Sequence, residues 1–291
     1  MTVNKTASTM RKIIVSLVAA AGVVAVSAPA MAAGAAKHPR HAGFSFEGPF
    51  GTFDQGQLQR GYKVYREVCA SCHGMDMLYF RNLGDKHGPF WDSRYPNPND
   101  NPVVKALAAE AQIADIDSET GEAMMRDGTT ADRFPNPYPN ATAAAAANGG
   151  AHPPDLSVMA KARHDGANYI YSLLSGYVDP PAGLQMAPGQ HYNPYMAGDM
   201  TPFWTGDPDH VPYGGFIAMP NPLAAGQVTY DDGTEATVDQ MSKDVAAFIA
   251  WASEPKMVER KQAGVGVLIF LFLFAGLTYA SYRRIWKGVA H

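Results

Sequence analysis

Apolar residues recur at intervals of three and four in several parts of the chain, a spacing that predicts amphipathic helices. A proline at 255 marks the end of the last one. Residues 127–154 and 177–222 are instead rich in proline, asparagine and small residues, which favours irregular structure. The pattern therefore predicts a mostly α-helical domain with long loops. The predicted helices cover residues 54–68, 102–112, 167–175 and 238–253.

One stretch is apolar on all sides. Residues 264–282 contain no charge, and at about 1.5 Å rise per residue they span roughly 28 Å, the thickness of a bilayer core. A buried helix of a soluble protein rarely stays apolar on every face for this length. We therefore predict a membrane anchor over residues 259–284. Both of its ends are basic, so the flanking charge alone orients it weakly.

The N-terminal residues 1–32 have the features of a secretory signal. Arg11 and Lys12 precede an apolar stretch, and Ala-Met-Ala at 30–32 offers a cleavage site. A retained N-terminal anchor and a cut after residue 30 are the alternatives. Export predicts that residues 33–258 form a periplasmic domain and that residues 285–291 form a cytoplasmic tail.

Charge and cysteine content narrow the function classes. The net charge is -4, and without the predicted signal 20 basic residues face 27 acidic ones, a charge of -7. Nucleic acid is therefore not expected as a partner, whereas a basic protein is compatible with this charge, as is ordinary solubility charge. The chain has two cysteines, both in one short motif, which excludes a disulfide-stapled scaffold.

That motif is Cys69-Ala-Ser-Cys72-His73, the attachment signature of a c-type haem. Two thiols about one helical turn apart can reach both vinyl groups of a porphyrin, and the adjoining imidazole then points at the iron. A thioredoxin-like redox pair would need a βαβ setting, and a structural zinc site would need two further ligands. Helical residues precede the motif and no second cysteine pair exists, so haem is the favoured interpretation.

The positions before the motif indicate how its helix packs. Gly61 and Tyr65 precede Cys69 at intervals of eight and four, an arrangement similar to the first helix of small cytochromes c. In those proteins the glycine lets an aromatic residue of the C-terminal helix come close. Val245 and Phe248 are the expected partners here, which is a prediction about the fold rather than about the ligand.

A second axial ligand is expected among the downstream methionines, because thioether sulfur raises a haem's reduction potential. Met219 lies in an irregular stretch stiffened by Pro220, which suits a loop that must aim one side chain. Three other methionines remain candidates by spacing, namely Met186, Met196 and Met200. The histidines at 152, 164, 191 and 210 are more typical of surface or loop positions.

Several long segments resemble the cytochrome c1 family, the haem-bearing subunit of the cytochrome bc1 complex, of bacterial type. They run in one order over nearly the whole exported part and end in the anchor. The matching segments are FSFEGPFGTFD, RGYKVYREVCASCHGM, PPDLSVMAKARH, MPNPL and YDDGTEATVDQMSKDVAAFIAWASEPK. The resemblance implies a covalent haem c with His73 and Met219 as axial ligands. It also implies Arg163, near a propionate, and Tyr169 as haem neighbours, with Asn148 and Pro154 in the crevice.

The resemblance further implies a role in a quinol–cytochrome c reductase. Such a subunit takes electrons from the Rieske iron–sulfur protein, next to cytochrome b in a dimeric complex, and reduces a mobile cytochrome c. It would be a single-pass protein of the bacterial inner membrane and a redox subunit without bond-making catalysis of its own. An anchored shuttle to a terminal oxidase is the alternative, and a haem enzyme such as a peroxidase is a third possibility.

Two further expectations follow from the resemblance. Some bacterial relatives carry an extra disulfide near the methionine ligand, and this chain has no cysteine left for one. An acidic surface should dock a basic cytochrome c, unless the acids are simply solvated loop residues. The two candidate runs are Glu110, Asp115, Asp117, Glu119 and Glu122, and Asp231, Asp232 and Glu235.

Overall fold

The computed structural model describes residues 36–288, so the predicted signal at 1–32 lies outside it. Helices dominate this part of the chain, which confirms the predicted fold class. They are α1 (Gln55–Glu67), α2 (Pro102–Ala109), α3 (Ala141–Ala147), α4 (Gly166–Leu174), α5 (Val238–Ser253) and α6 (Met257–Ile285). Two antiparallel pairs of short strands are formed by β1 (Gln112–Ile116) with β2 (Ala123–Asp127), and by β3 (His191–Asn193) with β4 (Gly215–Ile217).

Both long helices of the domain start at capping side chains. Asp54 accepts a hydrogen bond from the amide of Gln57 at 2.6 Å, and Thr237 accepts one from the amide of Gln240 at 3.1 Å. Each cap satisfies an amide that has no partner inside the helix. The observed α1 and α5 therefore begin where the sequence predicts.

Helices α1 and α5 cross at Gly61. A Cβ atom on Gly61 would lie 2.7 Å from the Cβ of Phe248 and would overlap the carbonyl oxygen of Asp244. Only glycine allows the two backbones to come this close. The predicted contact between Gly61 and Phe248 is confirmed, and it fixes the position of the motif that follows α1.

An aromatic cluster surrounds this crossing. The Phe248 ring lies 5.6 Å from that of Tyr62, 5.7 Å from that of Tyr65 and 5.5 Å from that of Trp251, and Tyr65 also lies 6.0 Å from Phe134. Aromatic pairs at these separations add stabilisation beyond simple burial. The main core therefore sits immediately next to the end of α1.

Three parts of the chain differ from the predicted elements. Helix α2 ends at Ala109 rather than at 112, because the chain there turns into the exposed hairpin β1–β2. Helix α3 lies in a segment predicted to be loop. Its N-cap Asn140 accepts from the amide of Ala143 at 2.9 Å, and an alanine run with the best intrinsic helix propensity follows. The prolines and asparagines on either side of this run favour a loop, so the sequence pattern does not predict the helix.

Residues 177–222 are mainly irregular, as predicted, but they enclose a small core of their own. Leu184, Tyr192 and Met200 are buried together, and Met186 and Trp204 pack against them. We call this group the satellite cluster. The pairing of β3 with β4 closes it, and β4 then leads directly towards Met219.

Helix α6 follows α5 after a turn of only three residues, so the expected linker is short. Glu254 in this turn is ion-paired with Arg260 and lies 3.5 Å from the Lys161 ammonium. Met257 and Val258 are buried, whereas the apolar part of α6 is exposed to its surroundings. Among the described residues α6 is the one helix long and apolar enough to cross a membrane.

Candidate functional site

The Cys-x-x-Cys-His motif forms a single tight turn after α1. The amides of Cys72 and His73 both donate to the carbonyl oxygen of Cys69, at 3.1 and 2.9 Å. This geometry stacks the two cysteines about one turn apart and brings the imidazole next to the second one. The spacing argument made from the sequence therefore matches the backbone.

The His73 ring is oriented by a contact across the molecule. Its Nδ1 lies 2.8 Å from the carbonyl oxygen of Pro154, an oxygen that can only accept, so Nδ1 carries the proton. Nε2 is then the nitrogen with a free lone pair. Burial lowers the pKa of His73, which keeps the ring neutral at neutral pH. A neutral imidazole with one nitrogen held by a carbonyl is the usual form of a metal-bound histidine.

The two thiols are partly buried and are not joined to each other. Burial, together with the neighbouring Cys72, raises the pKa of Cys69 to about 12. A reactive redox pair shows the opposite shift, because its nucleophile is a stabilised thiolate. Within residues 36–288 no three His, Cys, Asp or Glu side chains gather as metal ligands.

The wall facing the motif is built by residues 136–156. The Leu156 amide donates to the Gly74 carbonyl at 2.9 Å, and a Cβ on Gly74 would overlap the side-chain oxygen of Asn136. Tyr138 places its hydroxyl 3.9 Å from the Cys72 sulfur. Residues 136–156 therefore contact the C-terminal end of the motif, and the same segment supplies Pro154.

Met219 is partly buried against the main core. The Tyr177 hydroxyl donates to the Met219 carbonyl oxygen at 2.9 Å, which holds the backbone of this loop from α4's side. Met186 and Met200 belong instead to the satellite cluster. Met196 accepts a contact from the Tyr169 hydroxyl at 3.7 Å. Of the four methionine candidates, Met219 is the one that packs on the core carrying Cys69.

The other four predicted site residues lie in different parts of the fold. Pro154 contacts His73, as described, and Tyr169 lies on α4 with its hydroxyl on Met196. Asn148 ends α3, where its side chain donates to the Ala144 carbonyl at 2.7 Å. Arg163 is exposed just before α4 and donates to the Ala162 carbonyl at 3.1 Å. The structure therefore joins Pro154 directly to the motif, and it gives Asn148 and Arg163 local contacts.

Two contributors were not singled out from the sequence. Tyr177 belongs to no motif. It lies two residues after Ser175, in a segment that the sequence predicts to be irregular. Tyr138 lies among prolines far from the motif in sequence. Hydrogen bonds between distant loops leave no periodic signal, so neither residue could be found by spacing.

Four of the eight acids in the two runs are paired with basic side chains of the same chain. In the first run, Arg66 pairs with Glu110, and Arg126 pairs with Asp115 at 2.5 Å. In the second run, Lys63 and Arg60 approach Asp231 and Asp232 at 3.1 and 2.7 Å. These acids form mixed-charge surfaces.

The donor set as a whole fits a c-type haem. It comprises two unpaired thiols one turn apart, an imidazole whose Nε2 is left free, and a thioether on the same core. Carbonyl and hydroxyl contacts from distant loops hold the imidazole and the thioether loop in place.

Comparison with known proteins agrees with this arrangement. The model of the family described as "Cytochrome C1 family" matches residues 44–289. Cytochrome c1 of Rhodospirillum rubrum is 42% identical over 282 residues, which cover 95% of this chain and 97% of that protein. "Cytochrome c1-2, heme protein, mitochondrial" of Solanum tuberosum is 44% identical over 238 residues, 82% of this chain and 81% of that protein.

A longer relative is also similar. "Cytochrome b/c1" of Bradyrhizobium diazoefficiens is 42% identical over 262 residues, which make up 84% of this chain and 35% of that protein. This chain thus spans about a third of that relative. The family match runs from the aromatic segment before α1 through the whole of α6. The resemblance read from the sequence is confirmed, and the chain belongs to the cytochrome c1 family.

Proposed function

We propose that this chain is the haem c subunit of a quinol–cytochrome c reductase and that it carries electrons one at a time. The observation that carries the proposal is the 2.8 Å contact between His73 Nδ1 and the Pro154 carbonyl. It presents Nε2 as a ligand beside two thiols, in a chain of the cytochrome c1 family. When bound, a haem c would supply an iron that cycles between the ferrous and ferric states.

In this proposal the residues of the chain divide the work of holding the group. Cys69 and Cys72 would provide the two covalent thioether attachments, and His73 and Met219 would ligate the iron. Pro154 fixes the orientation of the imidazole, and Tyr177 fixes the loop of the thioether. A ligand set held this firmly changes little when the charge of the site changes, which suits electron transfer.

Four further residues are proposed to line the crevice. Arg163 is exposed and can meet a propionate through its guanidinium, a pairing that offsets the cost of a partly buried carboxylate. Tyr169 sits between α4 and Met196, and Pro154 meets His73. Asn148 ends α3 on the same stretch of chain. Their contacts here are compatible with this role.

The partners are proposed from the family. The electron donor is the Rieske iron–sulfur protein, and the acceptor is a soluble or anchored cytochrome c. Cytochrome b is the membrane neighbour in a dimeric complex, and the name "Cytochrome b/c1" of the Bradyrhizobium relative supports this neighbour. A basic acceptor would have to meet a mixed-charge surface, because several candidate acids already pair with arginine or lysine.

The proposed topology follows the predicted segments. Residues 33–258 would be the periplasmic domain, 259–284 the anchor in the bacterial inner membrane, and 285–291 the cytoplasmic tail. The exposed apolar surface of α6 supports a single-pass anchor. The orientation rests on the predicted signal at 1–32.

The test of this function is a purification. The full-length tagged chain is isolated from its native membranes, and antimycin-sensitive reduction of cytochrome c by quinol is measured. We expect the activity to co-purify with a cytochrome b and an iron–sulfur protein. Recovery of the haem-loaded chain alone, delivering electrons to an oxidase, would instead establish the anchored-shuttle alternative.

The axial methionine can be tested separately by a matched pair of variants. Met219→Leu should open the sixth position, so that the reduced protein binds carbon monoxide and its midpoint potential falls. Met200→Leu, in the satellite cluster, should leave both properties as in the wild type, because its volume is conserved. Carbon monoxide difference spectra provide the measurement, and ready binding by the wild type would remove Met219 from its role.

A further inference from the structure

A loop of four phenylalanines, residues 44–53, lies beside the start of α6. Three of the rings face inward, with centroids of Phe44 and Phe46 4.9 Å apart and those of Phe46 and Phe53 4.8 Å apart. Phe50 is different, because 79% of it is exposed at the tip of the loop. The Phe50 ring lies next to the proposed membrane helix, and an apolar environment would remove it from water.

The loop holds Phe50 in a fixed position. Ser45 and Thr52 close its base, with the Thr52 amide donating to the Ser45 carbonyl at 3.1 Å and the Ser45 hydroxyl to the Thr52 carbonyl at 2.8 Å. The turn needs glycine at 51, since a Cβ there would overlap the Glu47 carbonyl. The tip, residues 48–52, carries no charged side chain.

A side chain of α6 binds the backbone of this loop. The Lys261 ammonium donates to the Phe46 carbonyl at 2.6 Å and lies 3.4 Å from the Gly51 carbonyl, next to Phe50. Lys261 precedes the uncharged stretch of α6 by three residues, about 4.5 Å along the helix axis. The polar layer on each side of a bilayer is roughly 5–7 Å deep. The loop tip therefore lies at the level of that layer.

We propose that residues 48–52 rest in the interfacial layer of the bilayer that α6 crosses, with the Phe50 ring among the lipids. This inference rests on the proposed anchor. Lipid suits the tip better than a protein surface, because the tip is uncharged and its backbone is fixed from α6 at membrane depth. Phenylalanine is among the residues that peripheral segments bury at the boundary between lipid headgroups and acyl chains.

The second lipid contact would have a consequence for orientation. A domain held by one helix can tilt relative to the plane of the bilayer. A loop that touches the bilayer to one side of the helix axis resists this tilt, so that α1 and its motif would be held at a fixed angle to the membrane. Phe50 is thus a docking residue for the lipid surface.

Photo-crosslinking in native membranes tests the contact. Phe50→p-benzoylphenylalanine is made in the full-length chain, and after irradiation the cross-linked peptides are identified by mass spectrometry. The same substitution at Leu271, which is 51% exposed in α6, reports on the anchor, and at Phe203, which is 40% exposed beside the satellite cluster, it gives the background. We expect lipid adducts at positions 50 and 271, several-fold above the yield at 203.

The outcomes separate the two proposals. Lipid adducts at 271 with only background yield at 50, or an adduct between position 50 and another protein subunit, would overturn the loop contact and leave the anchor standing. Lipid adducts at neither position would overturn both. Because Phe50 is exposed, the larger ring fits without repacking the core.

Discussion

At the scale of single residues, the Tyr177 hydroxyl is the direct link between α4's end and the proposed ligand loop. Burial raises the pKa of Tyr177, so the group stays protonated and donates to the Met219 carbonyl throughout the neutral range. Such a hydrogen bond contributes about 0.5–1.5 kcal/mol. The loop of Met219 is thus restrained by a hydrogen bond and not by a disulfide, since both cysteines of the chain belong to the Cys-x-x-Cys-His motif.

Tyr177→Phe should therefore weaken the proposed bond between Met219 and the haem iron without changing the packing of the ring. We expect a lower midpoint potential and partial carbon monoxide binding, with up to about a tenfold shift in the ligation equilibrium. Redox titration and carbon monoxide spectra give the two readouts. Tyr192→Phe is the matched control, because its hydroxyl donates to the Tyr213 carbonyl in the satellite region. Equal effects of both variants would show that Tyr177 has no specific role.

The residues of the motif can be predicted from the sequence, whereas the residues that hold them in position cannot. Cys69, Cys72 and His73 are adjacent along the chain, so spacing alone predicts their shared chemistry. Pro154 and Tyr177 act on the site across 81 and 42 residues of chain. The role of Pro154 was implied by family resemblance, and its carbonyl contact with His73 was learned only from the structure.

At the scale of elements, the crossing of α1 with α5 is a close contact between two backbones. Buried Asp244 reinforces it, since Arg60 donates to its carboxylate at 2.9 Å and Gln240 at 2.9 Å. A buried carboxylate with several donors is costly to disturb, because loss of one partner leaves a desolvated charge. The two helices thus meet through both a steric fit and a polar pair.

Gly61→Ala should destabilise the domain, because the added methyl meets backbone and Phe248 where neither can move. We expect a loss of about 1–3 kcal/mol in the free energy of unfolding. Gly56→Ala lies on the same helix, its Cβ would have only ordinary contacts at 3.5 and 3.7 Å, and it should stabilise by up to about 1 kcal/mol. Urea unfolding of the two variants gives the comparison. An unfolding free energy unchanged by Gly61→Ala would contradict the tight crossing.

Amphipathic elements were predictable and short local ones were not. The stripe of Met241, Val245 and Phe248 identifies α5 because burial on one face imposes a period of 3.6. The exposed hairpin β1–β2 buries almost nothing, so hydrophobic periodicity cannot mark it. The predicted helix 102–112 therefore extends past the observed end of α2 at Ala109, and the sequence around α3 predicts a loop because prolines and asparagines flank it.

At the scale of the whole molecule, the surface of α6 differs from that of the rest of the described chain because it is apolar on all sides. Its apolar side chains are exposed along its length, a surface that water would disfavour strongly. The sequence predicted this helix from length and lack of charge alone. The contact of Lys261, near the start of α6, with the loop at 44–53 cannot be predicted from the sequence. It depends on where the fold places that loop, which is more than 200 residues away along the chain.

Arginine in the middle of α6 should weaken membrane insertion. Leu271→Arg with Phe272→Arg places two charges near the bilayer centre, each at a cost of about 2.5–3.5 kcal/mol. We expect this variant to be released by alkaline carbonate, which leaves the wild type in the membrane pellet. Met124→Arg with Met125→Arg adds the same charge to the exposed hairpin and should stay in the pellet. Retention of the α6 variant would speak against a spanning helix.

The turn between α5 and α6 also limits how far the domain can travel. Three residues reach at most about 10 Å even when fully extended, and here Glu254 folds them against Arg260 and Lys161. A haem attached at the end of α1, as proposed, would then stay at nearly one height above the bilayer. In the proposed complex the electron donor and the electron acceptor would both have to come to this position.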